Sequence, residues 1–121
     1  MEEVLLSLLE KLKFWSSQAD ADANKTVCVI AASKKQRDAI SVFLERNGVL
    51  TQTIDENQNA GVVHERVFVA TMHRAKGLEF DRVAVVAPKS YLGDLRDTEN
   101  HRKLMYVAVS RAKRETVILI N

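Results

Sequence analysis

Near the start of the chain, Val4, Leu5, Leu8, Leu9, Leu12 and Trp15 recur at the three-to-four spacing that puts them on one face of an amphipathic helix. Glu2 and Glu3 stand where the positive end of a helix dipole favours carboxylates. The period then stops. Residues 16–26, with Ser16, Ser17, Asp20, Asp22 and Asn24, carry no apolar repeat and read as a polar linker. The compact domain is expected to begin near Lys25.

From there, short apolar runs alternate with helical patterns. Val27 to Ala32 reads as a buried strand, with Cys28 as ordinary packing. Ser33 can cap a helix to Arg46, because Ala39, Ile40, Phe43 and Leu44 share a face and Asn47-Gly48 supplies a stop. Val49 to Ile54 reads as a strand and Asp55 to Gly61 as a loop. Val67 to Ala70 and Val83 to Ala87 are fully apolar strand runs that bracket a polar segment at residues 71–81. Pro88 to Leu95 is rich in turn residues, Asp97 or Thr98 can cap a helix through Ala112, and Thr116 to Ile120 reads as a last buried strand. The alternation predicts an α/β fold: a mostly parallel sheet with helices on both faces, whose ligands sit at the strand ends.

Composition narrows the class. At 121 residues the chain has the length of one domain, and 46% hydrophobic with 28% charged residues is the balance of a packed globular chain. Cys28 is the only cysteine, so no internal disulfide or Cys-rich zinc site can form, and a reducing, cytoplasmic setting is expected. The opening Met-Glu-Glu and the interruptions at Ser7, Glu10 and Lys11 support neither a signal peptide nor a membrane span. The net charge of +2 is uninformative, but its distribution is not: residues 1–60 carry 7 basic and 9 acidic side chains, residues 61–121 carry 11 and 7. An anionic partner should meet the second half.

Several chemistries are excluded. Gly48, Gly61, Gly77 and Gly93 are far apart and none precedes Lys-Ser or Lys-Thr, so the sequence has neither a P-loop nor a dinucleotide fingerprint. Asp55-Glu56-Asn57-Gln58 superficially matches a magnesium-binding acidic motif, but its turn composition explains it better as a solvated loop. His64 and His101 lack ligand-spaced partners, and no metal site is expected. Tyr106, beside Leu104 and Val109, reads as helix packing in preference to a base-stacking platform. Two readings stay open for residues 71–81, a ligand-contacting loop or a solvated turn in which Gly77 supplies an unusual backbone angle. Two also stay open for Arg111 and its neighbours Arg102, Lys103, Lys113 and Arg114: functional charge, or cations that complement a helix C-terminus.

Thr71 to Phe80 (TMHRAKGLEF), followed by Leu104 to Ala112 (LMYVAVSRA), resembles motifs V and VI of UvrD/Rep-like superfamily 1 DNA helicases. The resemblance extends more loosely from about Lys25 to Ile120, with residues 26–48 similar to the motif IV strand and helix. It implies residues 1–24 as an N-terminal helix and linker and residues 25–121 as a RecA-like second motor domain. Such a domain closes on ATP and Mg2+ held mainly by a first motor domain, on the same or another chain, while both track single-stranded DNA. Arg111 matches the arginine that reaches the γ-phosphate, Glu79 the glutamate at the ribose, and Gly77 lies beside it. Thr71 and His73 match positions near the DNA, with Arg74 and Lys76 adding charge. Two features depart from the family. Ala31 and Ala32 occupy the neighbourhood where motif IV usually has an arginine, the first basic residue being Lys34, and only the stretch around Val49 to Glu65 stands where many members insert a subdomain. The resemblance implies a chain inactive alone for want of a P-loop; the alternatives are a non-enzymatic nucleic-acid-binding or regulatory module, or a structural interaction domain with vestigial motifs.

Overall fold

The computed structural model describes residues 2–17, 26–54, 67–75, 77–88 and 98–120. Helix α1 (Glu2–Ser17) is followed by β1 (Val27–Ala31), α2 (Lys34–Arg46), β2 (Thr51–Thr53), β3 (Val67–Thr71), the single turn α3 (Met72–Ala75), β4 (Phe80–Ala87), α4 (Thr98–Val109) and β5 (Ala112–Ile120). The strands form one sheet in the order β2-β3-β1-β4-β5, and every neighbouring pair is parallel. The acidic stretch at Asp55 and the residues around His64 lie outside the described residues.

Alternate residues of the central strands feed two cores. Cys28, Ile30, Phe68, Ala70, Val83 and Val85 pack with Met72 and Ala75 of α3 and Met105 and Ala108 of α4. Val29, Ala31, Val69, Ala84 and Val86 point to the other face, onto Ile40 and Leu44 of α2 and Leu8, Leu9, Leu12 and Trp15 of α1. Both faces are covered, and this is why β1, Val67 to Ala70 of β3 and Val83 to Ala87 of β4 are unbroken apolar runs instead of alternating. Cys28 is buried in this packing, and burial pushes its thiol pKa up.

Helix α2 starts and stops as its sequence predicts. Ser33 Oγ accepts from the Gln36 N–H, while Gln36 Oε1 accepts from the Ala32 N–H, a reciprocal N-terminal cap. At the other end Gly48 has φ +82° and the Val49 N–H returns to the Leu44 carbonyl at 2.9 Å.

Three boundaries differ from the apolar pattern. Strand β4 begins at Phe80, ahead of Val83, because Asp81 is clasped to Thr26: the Thr26 N–H donates to Asp81 Oδ2 at 2.8 Å and the Asp81 N–H donates to the Thr26 carbonyl at 3.1 Å. Strand β5 begins at Ala112, ahead of Thr116, through pairing of Ala112 with Phe80 and Glu115 with Arg82. Helix α4 accordingly stops at Val109 and does not reach Ala112.

Helix α1 is locked to the sheet by polar contacts as well as by its leucines. The Trp15 indole N–H donates to Glu115 of β5, Lys11 Nζ lies 3.5 Å from the same carboxylate, and the Arg82 guanidinium lies 5.9 Å from the Trp15 ring centroid. The indole N–H, followed by the Lys11 and Arg82 charges, holds the Glu115 carboxyl below the ordinary carboxylate range against an opposing desolvation. No described helix is long and apolar enough to cross a membrane.

Candidate functional site

The residues singled out in the sequence fall at opposite ends of the parallel sheet. Glu79 immediately precedes β4 and Arg111 immediately precedes β5. The Phe80 N–H donates to the Arg111 carbonyl at 2.8 Å, so the two segments are stitched together at the amino ends of these strands. Gly77 leads into this rim with φ +84°. A Cβ at Gly77 would meet nothing within 4 Å, so the backbone angle, not crowding, calls for glycine there. Glu79 is exposed, with Lys113 Nζ 3.9 Å from its carboxylate, a distance at which a solvated pair contributes little.

Arg111 is half-buried and folded back over the end of α4. Its Nε donates to the Val107 carbonyl at 3.1 Å, and its Nη2 donates to Ser110 Oγ at 3.2 Å. Ser110 Oγ in turn donates to Val107 O at 3.0 Å. These contacts occupy the Val107 carbonyl, one of those that a helix end leaves without an intrahelical partner, and place a cation where the helix dipole favours one. Among the described residues no carboxylate pairs with this guanidinium, so its charge is oriented without being neutralised.

The second group lies at the carboxyl end of β3. Thr71 is buried, and its hydroxyl accepts from the Arg74 N–H at 3.4 Å, which turns it inward to start α3. His73 is exposed and Arg74 half-buried; Lys76 lies outside the described residues. The ladder pairs Thr71 with Ala31, so the start of α2, with Lys34 and Lys35 both exposed, shares this rim. Sequence reasoning names Lys34 only as the first basic residue after the motif IV strand and does not name Lys35. The signal that finds them is the adjacency of β1 and β3, which apolar runs alone do not reveal.

Ala31 also pairs with Val86, six residues beyond Phe80 in the same strand. At ~3.3 Å per strand residue the two rims are about 20 Å apart. The amino-end location of Glu79 and Arg111 departs from the usual carboxyl-end crevice of open parallel sheets. Tyr106 requires a correction. It does not pack: its side chain is 72% exposed, because Met105 and Ala108 form the inward stripe of α4.

A five-stranded parallel sheet covered by helices on both faces is a RecA-like α/β domain. The chain belongs to the UvrD-like helicase C-terminal domain family, whose profile matches residues 31–121. It is similar to the ATP-dependent DNA helicase UvrD1 of Mycobacterium leprae (strain TN), with 37% identity over 84 residues, 62% of this chain and 10% of that protein. The chain thus spans about a tenth of that relative's length. Among solved structures, the C-terminal domain of a possible DNA helicase from Lactobacillus plantarum WCFS1 superposes with TM-score 0.76 and 26% identity over 99% of this chain and 68% of that one. The helicase domain of Hef from Pyrococcus furiosus, at TM-score 0.61 and 15% identity over 98% of this chain and 25% of that one, shares the fold.

Proposed function

We propose that this domain is the second motor lobe of an ATP-dependent DNA helicase and that Arg111 completes an ATP site whose P-loop and magnesium ligands belong to another domain. The observation that carries this reading is the state of Arg111: half-buried, fixed on Val107 O and Ser110 Oγ, and stitched through its carbonyl to the segment bearing Glu79. A guanidinium held in this way can turn its donors to the charge that develops on a transferring γ-phosphoryl group, worth ~10³–10⁵ in rate where it has been measured. Glu79, exposed beside it, can accept the hydroxyl hydrogen bonds of a ribose. Mg2+-ATP is held mainly by the other domain, since this sequence has no P-loop.

The carboxyl-end rim supplies contacts to single-stranded DNA. His73, Arg74, Lys34 and Lys35 bring donors and positive charge to phosphate oxygens without reading bases; Thr71 contributes by setting the turn that carries His73 and Arg74, and Lys76 belongs to the same segment. Replacing Arg111 by alanine in the complete motor tests the nucleotide half, with loss of DNA-stimulated turnover and retention of the fold expected. Undiminished turnover by Arg111→Ala contradicts it, as does sustained Mg2+-ATP hydrolysis by the 121-residue chain alone. For the DNA half, the Lys34→Ala/Lys35→Ala pair should flatten the dependence of log K on log salt by about 1–2 units.

A further inference from the structure

The outward face of α4 carries a large side chain that the phosphate chemistry does not use. Tyr106 stands in solvent one helical turn before Ser110, and the Ser110 N–H donates to the Tyr106 carbonyl at 3.0 Å. The Arg111 guanidinium rests on this same last turn, on Val107 O and Ser110 Oγ. The guanidinium is thus held on the carbonyl of the residue that follows Tyr106, so ring and guanidinium share the end of α4.

A triphosphate does not arrive at Arg111 alone, since in the nucleotide reading it is gripped by another domain. A body of domain size that brings phosphate to this guanidinium approaches the end of α4, where the exposed Tyr106 is next in sequence to the residue whose carbonyl holds it. We propose that Tyr106 is an anchor of the interface that the P-loop domain forms with this one when it delivers ATP to Arg111. The inference rests on the nucleotide reading and adds to it a docking residue that touches protein instead of ATP. Tyrosine chemistry suits an anchor of this kind, because the side chain buries a large apolar area with only two rotors to fix, and its hydroxyl stays satisfied at a wet edge. Interface cores are enriched in tyrosine and depleted in lysine and glutamate. Ser110, small and exposed beside it, leaves room for a partner's surface to close over the ring.

Placing a photo-crosslinker at this position, as Tyr106→p-benzoylphenylalanine in the complete motor, tests the contact directly. With single-stranded DNA and a non-hydrolysable ATP analogue present, cross-linked peptides should map to the P-loop domain, with a yield several-fold above that without nucleotide. Cross-links confined to DNA, a yield indifferent to nucleotide, or none to the P-loop domain would overturn the proposal. In parallel, Tyr106→Ala should lower ATP turnover about tenfold, the loss expected of an interface anchor, with no change in the urea midpoint; unchanged turnover also overturns it. The two readings fail differently. Should Arg111 not act on ATP, Arg111→Ala hydrolyses normally while the cross-link persists; should Tyr106 not dock, hydrolysis still collapses in Arg111→Ala and the cross-link is missing.

Discussion

The contact between α1 and the sheet and the amino-end rim of β4 and β5 use similar side chains to opposite ends. At the α1 contact an aromatic ring, a carboxylate and two cations find one another: Trp15 is 2% exposed, and Glu115 receives its indole N–H with Lys11 alongside. At the rim an aromatic ring, a carboxylate and a guanidinium lie near one another without closing. Tyr106 is in solvent, Glu79 has, among the described residues, only a distant, exposed lysine, and Arg111 bonds to a carbonyl and a hydroxyl. The first region is complete within the chain and serves stability. The second is held in place with no carboxylate on its guanidinium among the described residues, which is the state the proposed contact with an anion on another body requires.

Substitutions should separate the two by what they damage. Trp15→Ala removes a fully packed indole and the donor to Glu115, and should cost about 3–5 kcal/mol of unfolding free energy by urea titration. A loss below about 1 kcal/mol would mean that α1 is not an integral layer of this fold. Gly77→Ala comes next. With φ at +84° and open space around the position, the strain of a left-handed alanine should cost about 1–2 kcal/mol; a neutral result would show that the rim readily adopts another backbone path.

The smallest effect is a pH dependence. The folded Glu115 carboxyl titrates below its unfolded value, so its contribution is present above the unfolded pKa of about 4.3 and is lost as pH falls through the lower folded value. With the side chain 42% exposed, screening limits this to less than about 1 kcal/mol. Wild type should exceed Glu115→Gln in urea midpoint at neutral pH, and the gap should close in acid. A gap that widens in acid would reverse the sign.

Much of this architecture can be read from the chain. Val27 to Ala31, Val67 to Ala70 and Val83 to Ala87 announce buried strands because these apolar runs are rich in β-branched residues and too short for a buried helix. Ser33 with Gln36 and Asn47 with Gly48 announce the ends of α2. The start of β5 is not legible, since Ala-Lys-Arg-Glu has no strand pattern and becomes one only by pairing with Phe80 and Arg82. The turn at Met72–Ala75 is too short for a helical period to show. The leucine stripe of α1 predicts that the helix buries a face, but not that Trp15 meets a carboxylate one hundred positions away. The motif residues are visible as a set, yet their division between two rims, and the arrival of Lys34 and Lys35 on the rim of Thr71 and His73, depend on strand order. The exposure of Tyr106 is hidden in the sequence because its apolar neighbours suggest packing, whereas the inward stripe runs through Met105 and Ala108.

The central claim is that Arg111 acts on a triphosphate bound by another domain. Single-turnover ATP hydrolysis by the complete motor, wild type against Arg111→Ala, tests it most directly when each protein's urea midpoint is measured alongside. The account predicts a chemical step slower by ~10³ or more, with stability altered by no more than about 1 kcal/mol, the scale of a cation at a helix C-terminus. A hydrolysis rate within tenfold of wild type in a normally folded variant would contradict it.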